Sequence, residues 1–301
     1  MKNIKKKFLS LFMVGTMFVV SGCSGEESRT MKDRSGSEIA NIPTNIEKII
    51  STAPSNTEII ADLGLADKLV AIDTYSTDIE GINEDLTKID FAAPDAEVIV
   101  GLEPDIIIAS GHNQTGSAQD PFKAVSDAGI PVVYIPSSDS IEGIYKDIEF
   151  IADVLNVKEE GTKLVDETKA KIEEIASRNA KNEKKKVYFE IGPAPDLFSF
   201  GNTTFLNEMI ELVGGSNIFK DQESWISPSE EAVLDENPDV ILTNVNYIEN
   251  AVDEIKTRQG WENINAVKNN DVYLIDTNSS SRPSHNIIKA LEEMEKAINN
   301  K

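Results

Sequence analysis

The chain has very few residues that bind metal ions through nitrogen or sulfur: one cysteine and two histidines among 301 residues. A single cysteine excludes an internal disulfide and a metal site built from cysteines. A bare zinc or manganese ion needs about three converging nitrogen or carboxylate ligands. His112 and His285 have no spacing that pairs them. The sequence therefore does not favour a receptor for a bare metal ion, and we predict no metal site of that kind.

Sequence signatures of enzymes are also missing. The chain contains no G-x-G-x-x-G, no G-x-x-x-x-G-K-[ST] and no G-x-S-x-G segment. These segments are typical of dinucleotide binding, phosphate binding and acyl transfer, respectively. Acidic side chains are so numerous that no single pair can be singled out as catalytic. We therefore expect a binding protein and not an enzyme, with no catalytic residue and no catalytic cofactor.

Basic residues are scarce relative to acidic ones: 29 Lys and Arg against 52 Asp and Glu, with a formal net charge of −23. Four of the lysines precede residue 8, so a chain cleaved after residue 22 would have 25 basic side chains and a charge of −27. Such a surface repels nucleic acid. It also repels an anionic ligand unless an arginine makes the electrostatic potential at the binding site positive.

The N-terminal residues have the pattern of an export signal. A thirteen-residue apolar run, Phe8–Val20, follows the lysines; it is too short to span a membrane and predicts a signal peptide over residues 1–22. The run ends in Val-Ser-Gly-Cys23, which resembles the bacterial lipobox. That resemblance implies a lipidated Cys23 that holds the protein on the extracellular face of the cell membrane; the alternative is a cysteine that follows the signal peptide by chance. Residues 23–44 predict a polar tether that ends in a short entry strand or turn.

From residue 45 onward, short β-branched runs alternate with helical segments. The runs expected as strands are 48–53, 69–72, 106–109, 132–135, 187–191, 240–243 and 272–275. Apolar strands separated by helices predict parallel sheets covered on both faces. Between residues 140 and 181 the apolar period is helical throughout. We therefore predict an α/β fold with two Rossmann-like lobes, 45–139 and 186–301, joined by one long α-helix within residues 140–185, and a ligand cleft between the lobes.

Two segments of the first lobe recur in the second. Glu97 stands seven residues before a Pro-Asp pair that leads into an apolar strand, and Glu231 does the same. Thr57–Gly64 likewise matches Asn207–Gly214. We interpret these matches as a divergent duplication; the alternative is a generic helix-turn-strand pattern that recurs by chance.

The order and spacing of several segments resemble one protein family. The segments are Ile49–Leu65, Val98–Ile108, Phe205–Phe219 and Ser281–Leu291. Together with the lipobox and the paired lobes, they are similar to the solute-binding proteins of bacterial ABC importers for metal chelates, a class that carries cobalamin, ferric siderophores and haem. The resemblance implies a monomeric protein that grips a cobalt or iron chelate between rigidly joined lobes. It would then deliver the chelate to a permease dimer served by separate ATPase subunits.

The resemblance also suggests which side chains contact the ligand. In the corrinoid-binding branch, aromatic rings in the cleft pack against the flat macrocycle. The corresponding side chains here are Tyr75, Phe91, Phe198 and Trp225, and Arg282 falls where that branch has an arginine near the ligand. Phe91 and Phe198 could instead belong to the core. Arg282 could instead pair with an aspartate, or meet an anionic chelate as in siderophore receptors.

The repeated glutamates have two interpretations. Glu97 and Glu231 could be acids favoured by the dipole at a helix N-terminus. The family resemblance implies instead that each lobe presents one exposed glutamate to arginines on the matching permease subunit, with Glu230 as a less suitable neighbour.

Three other functions stay open at this point. Haem receptors of this family often ligate the haem iron through a methionine and a histidine. Here residues 90–97 contain no methionine and residues 243–250 contain no histidine. A sensing or adhesion lipoprotein could use the same fold without transport. An esterase is disfavoured by the missing nucleophile motif. We therefore favour a corrinoid such as cobalamin, with a ferric siderophore as the next candidate.

Overall fold

The computed structural model describes residues 27–34, 36, 38–113 and 120–299. Cys23 and the predicted signal peptide lie outside the described residues. Within the ranges described, none of the helices combines the length and the apolarity that crossing a membrane requires.

The described chain begins with an antiparallel hairpin where the sequence predicts an entry strand or turn. Its strands are β1 (Ser28–Lys32) and β2 (Glu38–Pro43). A parallel sheet follows, in the spatial order β5-β4-β3-β6-β7. Its strands are β3 (Ile49–Ser51), β4 (Leu69–Asp73), β5 (Thr87–Ile89), β6 (Ile106–Ser110) and β7 (Val132–Ile135). The helices among these strands are α1 (Pro54–Ile60), α2 (Ala96–Gly101) and α3 (Lys123–Asp127).

Two helices without an intervening strand connect this sheet to the next. They are α4 (Ile141–Val154) and α5 (Lys158–Asn179), and Ser140 caps α4 by accepting from the backbone N–H of Gly143 at 3.1 Å. The helices approach closely at Gly161, where an added Cβ would lie 2.3 Å from the Cβ of Ala152. The 22-residue α5 packs on residues 61–65 of the first lobe and on the helices of the second. It is the long joining helix that the sequence predicts.

The second sheet is also parallel, in the order β10-β8-β12-β13. The strands of this half are β8 (Lys185–Glu190), β9 (Ser199–Phe200), β10 (Gly215–Asn217), β11 (Trp225–Ile226), β12 (Val240–Thr243) and β13 (Val272–Leu274), of which β9 and β11 form a separate antiparallel pair. The helices are α6 (Phe205–Leu212), α7 (Glu230–Glu236), α8 (Ala251–Thr257), α9 (Asn265–Lys268), α10 (Thr277–Ser281) and α11 (Ile287–Asn299). The predicted α/β fold with two parallel sheets is thereby confirmed.

One hydrophobic cluster runs through both halves of the molecule. It includes Ile59 and Ile106 of the first half, Ile148 and Ile172 of the two connecting helices, and Leu291 of α11, all of them buried. Aliphatic side chains on both faces of a parallel strand must be covered by helices, which explains why α4 and α5 lie against both halves. The two lobes therefore share a core instead of meeting only at a hinge.

The repeated Pro-Asp pair has the same structural role in both halves. Asp105, at the start of β6, accepts from the backbone N–H groups of Glu47 and Lys48 at 2.7 and 2.8 Å. Asp239, at the start of β12, accepts from the backbone N–H of Lys186 at 3.0 Å. Each aspartate thus binds the backbone at the beginning of the neighbouring strand, just before β3 in the first half and within the first two residues of β8 in the second. This shared role supports the interpretation of the repeat as a duplication.

Candidate ligand-binding site

A cleft lies at the carboxyl ends of the strands of both sheets. It consists of two adjoining cavities of about 550 and 520 Å³. The first is lined from β3, β4, β6 and β7, and the second from β8, β12 and the segment after β13. Both cavities are lined by His112, Ser137, Ser281 and Pro283, so they form one continuous space. This is where parallel sheets usually bind ligands.

Tyr75 and Phe91 form an aromatic pair on the first-lobe side of the cleft. Their ring centroids are 6.1 Å apart in an edge-to-face arrangement, and Tyr75 is 65% exposed. The carboxylate of Asp73 fixes the Tyr75 loop by accepting from the backbone N–H of Tyr75 at 2.8 Å. Asn113 donates to the carbonyl oxygen of Phe91 at 2.5 Å. Both rings therefore have a defined position without being part of the core.

Phe198 and Trp225 form the matching pair on the second-lobe side. Their rings stack with centroids 6.3 Å apart and planes 19° apart. They are 39% and 48% exposed. Trp225 lies in β11 and pairs in register with Phe200 of β9, while the backbone of Phe198 pairs with Gly192 in an isolated antiparallel bridge. Each lobe thus presents one aromatic pair to the cleft, and Phe198 is not a core residue.

Arg282 lines the first cavity, but its guanidinium is bound to carboxylates of the other lobe. It donates to Glu58 at 3.0 Å, to Asp78 at 2.9 Å and to the carbonyl oxygen of Tyr75 at 3.0 Å. Burial alone would lower the pKa of Arg282, but the hydrogen bonds to Asp78 and Glu58 outweigh burial and raise it. The sequence alone left open whether Arg282 pairs with an aspartate. In the structure it pairs with Asp78 and also with Glu58.

Further contacts extend this connection between the lobes. Ser284 donates to Glu58, and Asn278 donates to Asp78 at 2.6 Å. His285 Nε2 pairs with the carboxylate of Asp62, and this hydrogen bond lowers the pKa of Asp62. His285 is only 6% exposed. The segment after α10 therefore fastens the second lobe to α1 and to the turn that follows it.

A buried acid lies beneath the first cavity. Asp147 of α4 pairs with Arg34 from the N-terminal hairpin and accepts from Ser138. Burial raises the pKa of Asp147 to about 6, although Ser138 and Arg34 both oppose that shift. The paired arginine compensates this charge. Neither Arg282 nor Asp147 therefore offers the cleft an unpaired charge.

Several lining residues were missed by sequence reasoning. They include Tyr247, which is 69% exposed, and Asn244 and Asn246 from the loop after β12. No hydrophobic period or motif indicates them, because they lie in an irregular loop. The position of this loop at the carboxyl end of a predicted parallel strand is the signal that could have found them.

The described part of the chain offers no site for a bare metal ion. Among the residues that the structure describes, no group of three or more His, Cys, Asp or Glu side chains could hold one.

Glu97 and Glu231 occupy equivalent positions, each as the second residue of its helix. Asp95 caps α2 by accepting from the backbone N–H of Glu97 at 2.9 Å, and Ser229 caps α7 by accepting from that of Ala232 at 3.2 Å. Both glutamates are exposed, and neither side chain has an ion pair with another described residue. Glu230 differs, because its carboxylate accepts from the indole N–H of Trp261 at 2.9 Å.

The two sheets, the joining helix and the cleft define a two-lobed α/β binding protein. A family model described as periplasmic binding protein matches residues 49–278, and the chain belongs to that family. The ABC transporter substrate-binding lipoprotein YvrC of Bacillus subtilis is 33% identical over 275 residues, which cover 89% of this chain and 85% of YvrC. The vitamin B12-binding protein of Yersinia pestis is 30% identical over 199 residues, which cover 66% of this chain and 69% of that protein.

A solved structure has the same fold. A possible iron-binding periplasmic solute-binding protein from Staphylococcus epidermidis superposes with a TM-score of 0.76 at 30% identity, and the match covers 84% of this chain and 98% of that one. These relatives are substrate-binding, vitamin B12-binding and solute-binding proteins. The predicted resemblance to the solute-binding proteins of ABC importers is thereby confirmed.

Proposed function

We propose that the protein is the lipid-anchored substrate-binding component of an ABC importer, and that it captures a metal chelate and delivers it to the permease. A corrinoid such as cobalamin is the favoured ligand, and a ferric siderophore is the next candidate. The observation that carries this proposal is the aromatic pair on each side of the cleft. Four rings from two lobes offer a large flat ligand extensive apolar contact on both sides.

The charges around the cleft also favour a corrinoid over an anionic chelate. Arg282 is already paired with two carboxylates. An anionic ligand would have to compete with those carboxylates for the guanidinium, in a protein with a formal charge of −23. A ligand that binds through area and stacking has no such competition. The vitamin B12-binding relative is consistent with this choice.

Fluorescence titration tests the ligand class directly. The chain has two tryptophans, of which Trp261 is fully buried and Trp225 is 48% exposed in the cleft. We expect cobalamin to quench the emission of Trp225 with submicromolar affinity. Trp225→Phe keeps a ring in the cleft, so most of the quenching should disappear while native mass spectra still show the complex.

Ferric siderophores and haemin belong in the same titration. Tight binding of one of these with no response to corrinoids would replace the favoured ligand by that chelate. A wild-type protein that binds none of the three classes would refute the proposal.

We further propose that Glu97 and Glu231 dock on arginines of the permease, one glutamate per lobe. This docking proposal is supported by the equivalent positions of the two glutamates, since each is exposed as the second residue of its helix, α2 or α7. Changing both to alanine should abolish uptake into cells while the affinity for the ligand stays as in the wild type. Glu159→Ala with Glu160→Ala is the matched control, since it also removes two exposed acids from the first turn of a helix. Equal uptake by the docking variant and this control would refute the assignment.

The proposed cellular location rests on Cys23. We propose that the lipid on this residue holds a monomeric protein on the extracellular face of the membrane, with lobes at residues 45–139 and 186–301 joined through residues 140–185. Cys23→Ala should move the protein from the membrane fraction to the medium. Retention of this variant in the membrane would contradict the lipid anchor.

A further inference from the structure

The tip of the N-terminal hairpin contacts the segment that lies beneath both cavities of the cleft. Arg34 is in the turn between β1 and β2, where the backbone N–H of Gly36 donates to the carbonyl oxygen of Asp33 at 3.0 Å. Nη1 of Arg34 pairs with the carboxylate of Asp147 and donates to the hydroxyl oxygen of Ser138 at 3.2 Å. Asp147 lines the first cavity and Ser138 lines the second. A residue that precedes both lobes in the chain therefore binds the walls of both cavities.

The position of Arg34 is fixed by the start of α4. Its Nη1 also donates to the carbonyl oxygen of Gly143 at 3.3 Å. An added Cβ at Gly143 would lie 2.7 Å from the hydroxyl oxygen of Ser138, so the two residues are packed closely. The side chains of Arg34 and Asp147 are 23% and 3% exposed. The ion pair is therefore largely removed from water, and its charges act on the first cavity with little screening.

This pair determines the net charge at the first cavity. Among the described residues that line the cavity, the Asp, Glu, Lys and Arg side chains are Asp147 and Arg282. Arg282 is compensated by Glu58 and Asp78. Arg34 is the one cation paired with Asp147 in the described part of the chain. Without Arg34, a buried and uncompensated negative charge would lie beneath the cavity, where it would repel an anionic ligand.

We infer that Arg34 is a positioning residue of the ligand site, and that its pairing with Asp147 sets how strongly the cleft discriminates between neutral and anionic forms of the ligand. It acts through Asp147 and needs no contact with the ligand. The inference rests on the proposed function and deepens it, since it concerns the charge of the chelate that this cleft accepts. Arg34 precedes residues 49–278, which the family model matches. The N-terminal hairpin thus adds a specificity determinant that the matched residues do not contain.

Cyanocobalamin and its monocarboxylates test this inference. Cyanocobalamin is neutral, and each of the b-, d- and e-monocarboxylates has one propionamide hydrolysed to a carboxylate. Quenching of Trp225 gives the affinities at about pH 8.5, where Asp147, with a pKa of about 6, stays ionised although removal of Arg34 raises that pKa further. For the monocarboxylate that responds most, Arg34→Met should raise the ratio of its Kd to that of cyanocobalamin about threefold or more. Asp147→Asn leaves the arginine uncompensated and should lower the same ratio by a similar factor.

The opposite signs of the two effects separate charge from structure. A purely structural loss would weaken the neutral and the anionic ligand alike, and the ratio would stay the same in both variants. Arg34→Lys keeps the cation and should keep the wild-type ratio. Arg34→Met combined with Asp147→Asn removes both charges and should return the ratio to the wild-type value. Binding of cyanocobalamin shows that each variant is folded.

The possible outcomes also separate this inference from the function on which it rests. If cyanocobalamin binds but both single variants shift the ratio in the same direction, Arg34 does not set the specificity and the corrinoid proposal stands. Ratios that stay at the wild-type value for all of the monocarboxylates lead to the same conclusion. If the wild type binds neither cyanocobalamin nor a monocarboxylate, the corrinoid proposal fails and this inference fails with it.

Discussion

Replacing Arg282 by methionine removes the charge that joins the two lobes at the cleft. The guanidinium side chain is 12% exposed and its partner Glu58 is 6% exposed. The variant therefore leaves a buried carboxylate whose remaining side-chain donor is Ser284. Asp78 loses the same partner but is 49% exposed, so water can replace much of that contact.

Removing one partner of a buried ion pair typically costs about 3–5 kcal/mol of unfolding free energy. Since Ser284 still donates to Glu58, we expect a loss near the lower end, about 3 kcal/mol. Urea unfolding followed by far-UV circular dichroism measures this loss. A second variant, Glu58→Gln with Arg282→Met, removes both charges and should recover part of the stability.

Lys123→Met provides the control for loss of a cation. Lys123 pairs with Asp127 at 2.8 Å on an exposed face of α3, and its removal should leave the urea midpoint unchanged. A loss below about 1 kcal/mol for Arg282→Met would show that Glu58 is not held as a buried charge, and the reasoning would be refuted.

Two further predictions concern residues beneath and beside the cleft. Because burial raises the pKa of Asp147 to about 6, the folded state binds this proton more tightly, and stability falls by at most about 3 kcal/mol as the pH rises from about 4 to about 6. Asp147→Asn should remove this part of the pH dependence of the urea midpoint. Gly201→Ala should destabilise the protein and weaken ligand binding at Trp225, because the new Cβ would lie 2.0 Å from the carbonyl oxygen of Gln222. Gly101→Ala has open space, so unchanged or higher stability is expected there, and equal melting temperatures for the two glycine variants would contradict the steric argument.

Much of the fold could be predicted because its strands are buried on both faces. Runs such as Ile106–Ser110 and Val240–Thr243 are mostly apolar and rich in β-branched residues, so composition alone marks them as parallel strands. The edge strands β5 and β10 were missed. Gly215–Asn217 has no apolar side chain, and its place in the sheet comes from pairing with β8. Such a strand is determined by tertiary contacts and leaves no local pattern.

The site was predictable in its aromatic residues and not in its polar network. The family resemblance points to Phe91 and Trp225, and both line the cleft. The partners of Arg282 could not be found, since Glu58 lies 224 residues earlier in the chain. No spacing rule connects residues so far apart, and acidic candidates are too numerous to choose among. Only the folded structure identifies Glu58 and Asp78 as the partners of Arg282.

If the chain is anchored through a lipid on Cys23 as proposed, the N-terminal hairpin sets how far the folded domain can stand from the membrane. Arg29 donates to the carbonyl oxygens of Asp153 and Val154 at 2.6 and 2.5 Å, so the chain is fixed to the end of α4 from that residue onward. With the lipid at Cys23 as proposed, Arg29 follows the anchor by six positions, with five residues between them, and the full reach of this segment is about 20 Å. Under this proposal the folded domain is held close to the surface of the bilayer. The proposed permease, in the same membrane, would then meet the loaded protein at a high effective concentration that is set by the length of this tether and not by the abundance of the protein in the cell.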